Sequence, residues 1–214
     1  INAPTNVAGP FIYSLVGVSN ATPVGTPCTR VISGQSITVN ITPDATVTLR
    51  PGDNDNQTVC VNNPIINIRY DVGGSGTGGA VSGLPAGVTG TYAAGVITIT
   101  GTPTSAVGSP FTYTVTTTGP CLTPQVTGTI TVTDNATIAL TSAVGSDNQT
   151  LCINTPLLVN ITYAVGGTGT GGSVTGLPAG VTGVFAGGVI TISGTPTAPG
   201  VFNYTVLTTG PCVI

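Results

Sequence analysis

Short runs in which every second residue is apolar recur along the chain. In Val96–Thr100 and Val189–Ser193 isoleucine alternates with threonine or serine, and Thr129–Thr133 alternates in the same way. Phe111–Val115 and Phe202–Val206 have aromatic or apolar residues at alternate positions. A period of two residues turns one face of a β-strand to a core and the other to solvent. These runs predict half-buried strands of antiparallel sheets.

Glycine and proline interrupt the runs at short intervals, for example at Gly73-Gly74, Leu84-Pro85 and Gly119-Pro120. Both residue types are typical of turns. No window has an apolar stripe with the 3.6-residue period of a helix, and threonine, valine and glycine are poor helix formers. About seven short strands in roughly 90 residues are typical of a β-sandwich. The sequence therefore predicts an all-β chain.

Three motifs occur twice, which reveals an internal repeat. Asp55–Cys60 recurs as Asp147–Cys152, 92 residues later. Gly83–Gly90 recurs 93 residues later, and Thr117–Cys121 recurs 91 residues later. The small differences in spacing place insertions and deletions in loops, as a shared fold requires.

The repeat divides the chain into three segments. Residues 44–134 are predicted to form one complete repeat, and residues 135–214 a second repeat that lacks its last strand and continues beyond the sequence. Residues 1–43 are predicted to be the C-terminal strands of a preceding repeat, because Phe11–Val16 resembles Phe111–Thr116. Half a sandwich exposes its core, so we expect the chain to be a segment of a longer array.

The composition excludes several classes of function. Charged residues make up 4% of the chain, and histidine, lysine and glutamate are missing. Without these residues a Ser–His, Cys–His or Ser–Lys catalytic pair cannot form, so no enzyme is expected. Three scattered arginines give no surface for nucleic acid. No apolar run approaches the roughly 18 residues of a membrane-spanning helix, so membrane insertion is not expected.

Three further motifs carry a family resemblance: Ser82–Val88, Gly95–Thr104 and Phe111–Val115. They resemble the Leu-Pro-x-Gly turn, the Ile-Ser/Thr-Gly-Thr-Pro-Thr strand and turn, and the Tyr-Thr-Val strand of immunoglobulin-like and cadherin-like repeats. The cysteine-bearing form resembles repeat arrays in very large surface proteins of gliding Bacteroidetes. Those proteins include gliding-motility adhesins exported by the type 9 secretion system.

The resemblance implies tandem immunoglobulin-like, cadherin-like β-sandwich repeats in a secreted filament for cell adhesion at the cell surface. The chain would be a disulfide-stapled spacer whose partners are neighbouring repeats, surface polysaccharide, or the outer-membrane secretion and motility machinery. The alternative is that each repeat is itself a glycan- or surface-binding module.

Five cysteines occur at matched positions of the repeats, and such a charge-poor, exterior type of sequence favours disulfides. The preferred pairing lies within a repeat, Cys60–Cys121 and Cys152–Cys212, with Cys28 bonded to an upstream repeat. The rival pairing, Cys28–Cys60 and Cys121–Cys152, crosses repeat boundaries. Two strands placed end to end would separate those sulfurs by roughly 40 Å.

Aspartate and asparagine are concentrated at the two repeat junctions. Asp53 and Asp55 lie near the start of the first complete repeat, and Asp134 and Asp147 flank the next junction. Clustered carboxylates and amides are ligands for calcium, but the same residues are common in turns. We expect no cofactor, and these four aspartates are the candidates if calcium binds.

Overall fold

The computed structural model describes residues 6–19 and 29–213, and every regular element among them is a β-strand. The prediction of an all-β chain is confirmed. In this part of the chain there is no helix of the length and apolarity that crossing a membrane requires. Cys28, predicted to bond to an upstream repeat, lies outside the described residues.

The strands fall into three groups along the chain. The first group is β1 (Gly9–Ser14), β2 (Gly17–Ser19), β3 (Thr29–Val31) and β4 (Ser36–Ile41). The second is β5 (Thr46–Leu49), β6 (Asn56–Cys60), β7 (Ile68–Gly73), β8 (Gly78–Ser82), β9 (Val88–Ala93), β10 (Val96–Gly101), β11 (Phe111–Thr118) and β12 (Gln125–Thr133). The third is β13 (Thr137–Leu140), β14 (Ile161–Gly166), β15 (Gly171–Thr175), β16 (Val181–Ala186), β17 (Val189–Gly194) and β18 (Thr205–Thr209).

The second group forms a complete sandwich of two four-stranded sheets. One sheet has the order β5-β7-β10-β9, and the other has the order β6-β12-β11-β8. The described pairings in these sheets are antiparallel except that of β6 with β12, which is parallel. In that pairing Cys60 lies opposite Thr133, so both residues are at the end of the sandwich where the chain leaves.

Residues from the alternating runs fill the space between the two sheets. Ile97 and Ile99 on β10 are fully buried, and Tyr113, Val115 and Ile130 meet them from the opposite sheet. The intervening threonines of β10 are more exposed. The period-two pattern therefore identified the buried face of these strands correctly.

The first group is a pair of two-stranded ribbons, β1-β4 and β2-β3. Phe11 pairs with Val39 as Phe111 pairs with Ile130, so β1 and β4 have the same register as β11 and β12. No further sheet covers this ribbon among the described residues, and Ile12 is 69% exposed.

The third group repeats most of the second. The sheet β13-β14-β17-β16 matches β5-β7-β10-β9, whereas β15 pairs only with β18. Residues 148–152 form no strand although their sequence nearly duplicates β6. Because β6 is held in its sheet only by β12, the corresponding segment cannot become a strand where the described chain offers no closing strand beside β18.

Candidate functional site at the junction between repeats

A disulfide between Cys60 and Cys212 joins the second and third groups of strands. The two Cα atoms are 5.6 Å apart, although 152 residues separate the cysteines in sequence. Cys60 ends β6, at the exit end of one sandwich. Cys212 lies in the loop after β18, at the end of the next repeat where the chain enters. The bond therefore links consecutive repeats beside the peptide linker.

The predicted pairings Cys60–Cys121 and Cys152–Cys212 are wrong, because Cys60 is bonded to Cys212 while Cys121 and Cys152 are free thiols. Cys121 precedes β12, and Cys60 lies opposite the last residue of that strand. The nine residues of β12 separate the two ends by about 30 Å, and a disulfide needs Cα atoms within about 7 Å. The Cys60–Cys212 bond also contradicts the rival Cys28–Cys60 pairing, and the free thiols of Cys121 and Cys152 contradict Cys121–Cys152.

Neighbouring groups hold the disulfide in place. The Thr133 hydroxyl lies 3.0 Å from Cys212 Sγ and donates a hydrogen bond to the Val59 carbonyl at 3.2 Å. The backbone N–H of Ala136, just past the linker, donates to the Cys212 carbonyl at 2.7 Å. Cys212 is consequently buried, with 4% of its surface exposed.

At each junction a glycine of the repeat lies against the backbone of the linker that enters it. Gly167 has a φ of +60°, and a side chain there would overlap the Asn135 carbonyl oxygen of the linker. Gly74 has a φ of +61° and meets the Asp44 carbonyl in the same way. Only glycine tolerates both the left-handed conformation and this close approach. These two glycines keep the linker packed against the repeat that it enters.

The junction at residues 42–45 has the same parts without a described disulfide. The Cys121 thiol donates to the Thr42 carbonyl at 3.7 Å, so this loop cysteine faces the preceding segment as Cys212 does. The Ala45 N–H donates to the Leu122 carbonyl at 3.1 Å, one residue further along the loop than in the bonded junction. The Leu122 N–H donates to Asp44 Oδ1 at 3.3 Å.

Two ion pairs join β7 to the connection between β5 and β6. Arg69 Nη2 lies 2.8 Å from Asp53 Oδ1, and Arg50 binds the Asp71 carboxylate through two nitrogens. Hydrogen bonds from the arginines lower the pKa of Asp53 and of Asp71. The third group has no such pairs among its described residues, and Ser142 Oγ accepts from the Thr162 N–H where Asp53 accepts from Arg69.

The four calcium candidates do not come together as a ligand cluster. Asp53 is engaged by Arg69, while Asp55 accepts a hydrogen bond from the Asn56 side chain. Asp134 and Asp147 are exposed. Among the described residues there is no group of three or more cysteines or carboxylates arranged to hold a metal ion.

A chain of tyrosine hydroxyls lies in the buried core of the second group and recurs, half-buried, in the third. Tyr113 Oη donates to the Asp55 carbonyl at 3.1 Å and lies 3.0 Å from Tyr70 Oη, so Tyr70 is the donor between the two rings. Tyr204 and Tyr163 repeat this arrangement at 3.1 Å. Burial raises the pKa of Tyr70, Tyr113 and Tyr204. These hydroxyls fix the segment before β6, and thus the approach to Cys60.

Sequence reasoning found the cysteines but missed the residues around them, above all Thr133, Gly167 and Gly74. One signal was present, since Gly73-Gly74 and Gly166-Gly167 occupy matched positions in the repeat. As a turn signal, Gly73-Gly74 predicts an interruption between strands but not a contact with the linker. Only the parallel pairing of β6 with β12 reveals which end of the sandwich each cysteine occupies.

Comparison with solved structures identifies the class of fold. The chain is similar to the I-band fragment I67-I69 of titin, with a TM-score of 0.56 at 10% identity, covering 99% of this chain and 72% of that one. An E-to-A variant of the same three-domain fragment gives a TM-score of 0.55 at 10% identity, with the same coverage. No protein-family model and no curated protein sequence matches the chain.

The chain is thus a tandem array of immunoglobulin-like domains. This likeness is one of fold, since the identity is far too low to carry function. The particular feature of this array is the covalent bond between consecutive domains, Cys60–Cys212.

Proposed function

We propose that this chain is a mechanical spacer segment of a large secreted filament or adhesin at the cell surface. The observation that carries the proposal is the Cys60–Cys212 disulfide, which ties one repeat to the next. The tandem immunoglobulin-like fold supports a structural or adhesive role. This fold is typically non-enzymatic, and the missing histidine and lysine also argue against catalysis.

The Cys60–Cys212 bond provides a short covalent path for a force that is applied to the two ends of the chain. A pull on the two ends passes along the chain to Cys60, crosses to Cys212 and leaves at the C-terminus. The residues between the two cysteines are bypassed, so unfolding them adds no length. With 152 residues of separation, the bypassed chain corresponds to about 500 Å of extended polypeptide.

The finer assignment rests on the sequence motifs. The resemblance to repeat arrays of gliding Bacteroidetes supports an extracellular location, export by a type 9 secretion system, and a role in gliding motility. Neighbouring repeats are the partners in this proposal, with surface polysaccharide or the motility machinery in contact elsewhere on the full-length protein. Disulfides persist in oxidising compartments, which agrees with an exterior site of action.

The spacer is proposed to work without a cofactor. Asp53 is neutralised by Arg69, and the remaining calcium candidates are dispersed. The glycan-binding alternative has less support, because carbohydrate sites present exposed aromatic rings. The largest fully buried side chains here are Tyr70 and Tyr113, and Phe202 at 41% exposure lies where the closing strand is lacking.

Single-molecule stretching of the 214-residue chain, held by its two ends, tests the proposal. The oxidised chain is expected to reach a fully extended length about 500 Å shorter than the same chain in reductant. A Cys152→Ser variant keeps the Cys60–Cys212 bond and serves as the matched control. Equal extended lengths with and without reductant would reject the mechanical route, and saturable binding of glycans by the tethered chain would favour the alternative.

A further inference from the structure

We infer that Cys121 and Cys152 are the two open halves of a disulfide series that continues along the array. In this series the loop cysteine of each repeat bonds to the strand-end cysteine of the repeat before it. Cys60–Cys212 is the instance present in this chain. The inference concerns bond pairing, and it stands independently of the proposed mechanical role.

Position in the repeat supports the assignment of Cys121. It follows Thr-Thr-Gly-Pro, as Cys212 does, and lies 91 residues earlier. Its thiol points to the Thr42 carbonyl, and Thr42 corresponds to Thr133, which contacts Cys212. The thiol is therefore directed at the exit end of the preceding segment. There a strand-end cysteine of the β6 type would lie beside Thr42.

Position also supports the assignment of Cys152, which corresponds to Cys60. Gln57 and Gln149, each three residues before one of these cysteines, bridge the same two backbone segments. Gln57 donates to the Asn54 and Ile66 carbonyls at 3.0 and 2.8 Å. Gln149 donates to the Ser146 and Val159 carbonyls, both at 2.8 Å. The segment before Cys152 is thus held as the segment before Cys60 is. Residues 148–152 would form a strand like β6 once a strand like β12 lies beside them.

Each bond forms by thiol–disulfide exchange with an organic disulfide or a disulfide-bonded oxidase. The first cysteine thiolate attacks the oxidant disulfide and releases one thiol. The thiolate of the second cysteine then attacks this mixed disulfide and releases the other thiol. Two cysteine thiols are oxidised to one disulfide, and the oxidant disulfide is reduced to two thiols that take up both protons.

A continuing series would give the filament covalent paths that avoid most of its length. Thirty-one residues lead from Cys121 through β12 and β13 to Cys152, where the next bond would begin. Because Cys121 would bond to the preceding repeat and Cys152 to the following one, this path crosses two repeats through each such stretch. A second path, through the Cys60–Cys212 bond, alternates with the first. In the first path β12 contributes nine residues that are already extended, and β13 contributes four.

Bond mapping tests the series. The 214-residue chain is alkylated without reductant, digested and analysed by mass spectrometry. We expect a Cys60–Cys212 linkage and alkylated Cys121 and Cys152. An extended chain, in which a second copy of residues 44–134 replaces residues 1–43, should contain one more disulfide, between the Cys60 of the added copy and the original Cys121.

The matched control carries Cys60→Ser in the added copy only. The Cys121 of the original copy should then be alkylated again. Near-ultraviolet circular dichroism and a cooperative melting transition report folding independently of the bonds. A folded extended chain in which the Cys121 of the original copy stays alkylated would overturn the inference. A Cys28–Cys121 linkage in the 214-residue chain would also overturn it. Adding residues 122–214 after Cys212 tests Cys152 likewise, through loss of its alkylation. Because this experiment applies no force, its result is separate from that of the stretching experiment.

Discussion

Cys60 lies directly opposite Thr133 on the adjacent parallel strand, so a residue early in the repeat and its last strand residue share one end of the sandwich. From this position the Cys60 thiol reaches the next repeat and not its own loop. A Cys60→Ser change should release the Cys212 thiol and let the two repeats move about the linker. In the chain-entropy model a loop of this size contributes about 5 kcal/mol to stability.

Small-angle scattering should report a larger radius of gyration for Cys60→Ser, and denaturant titration should report earlier loss of the third group of strands. Cys152→Ser removes a free thiol and should change neither quantity. An unchanged radius of gyration in Cys60→Ser would mean that the linker contacts alone fix the junction.

The buried tyrosines predict an unequal pair of variants. Tyr113→Phe leaves the Tyr70 hydroxyl and the Asp55 carbonyl without partners, and is expected to cost about 1–3 kcal/mol. Tyr70→Phe removes only one bond and should cost about 1 kcal/mol. Denaturant unfolding of both variants provides the measurement. Equal losses would contradict the order of donors along the hydroxyl chain.

The same burial predicts sensitivity to alkali. Because the pKa of Tyr113 is raised in the folded state, the folded protein holds its proton above the pH at which the unfolded chain loses it. Stability is therefore fully present below about pH 10 and falls as the pH rises further. Absorbance at 295 nm should show delayed ionisation of this tyrosine together with a falling melting temperature. Tyr113→Phe should reduce the slope.

The paired aspartates predict the opposite dependence at acid pH. Hydrogen bonds from arginine lower the pKa of Asp53 and Asp71, so the contribution of these pairs is present above about pH 4 and is lost as the pH falls through the lowered values. Melting curves between pH 6 and pH 2 should show this loss, and Asp53→Asn should flatten it. The third group has Ser142 in the place of Asp53 and provides an internal comparison.

Gly167 offers a test of junction packing with a close control. Gly167→Ala places a methyl group against the Asn135 carbonyl, while Gly187, at a φ of +55°, has nothing within 4 Å of such a group. Gly187→Ala should cost only the left-handed conformation, about 1–2 kcal/mol. Gly167→Ala should cost clearly more and slow formation of the Cys60–Cys212 bond. Equal losses in the two variants would remove the close approach as the reason for glycine.

Calcium should leave the chain unaffected if Asp53 is satisfied by Arg69. The melting temperature is expected to be the same in millimolar calcium and in chelator. Asp134→Asn, at an exposed candidate position, should behave as the unaltered chain does. A calcium-dependent rise that this variant abolishes would restore the metal site.

Local pattern was enough to predict the fold class, as the fully buried Ile97 and Ile99 show. The alternation of apolar and polar residues indicates which face of a strand is buried. The internal repeat shows which strands of the two copies correspond. The disulfide pairing depends on something else, namely the direction of β6 relative to β12. Strand direction is a property of the whole sandwich, and spacing along the chain does not encode it. The prediction therefore found the cysteines and paired them wrongly.

The long separation between Cys60 and Cys212 also sets an order of events as the chain is synthesised. Cys28, Cys121 and Cys152 all emerge before Cys212, so three other cysteines are available to Cys60 before its partner is. Closure of the sandwich by β12 carries Cys60 and Cys121 to opposite ends. If folding precedes oxidation, this separation keeps Cys60 from bonding to Cys121 and leaves it for the loop cysteine of the next repeat.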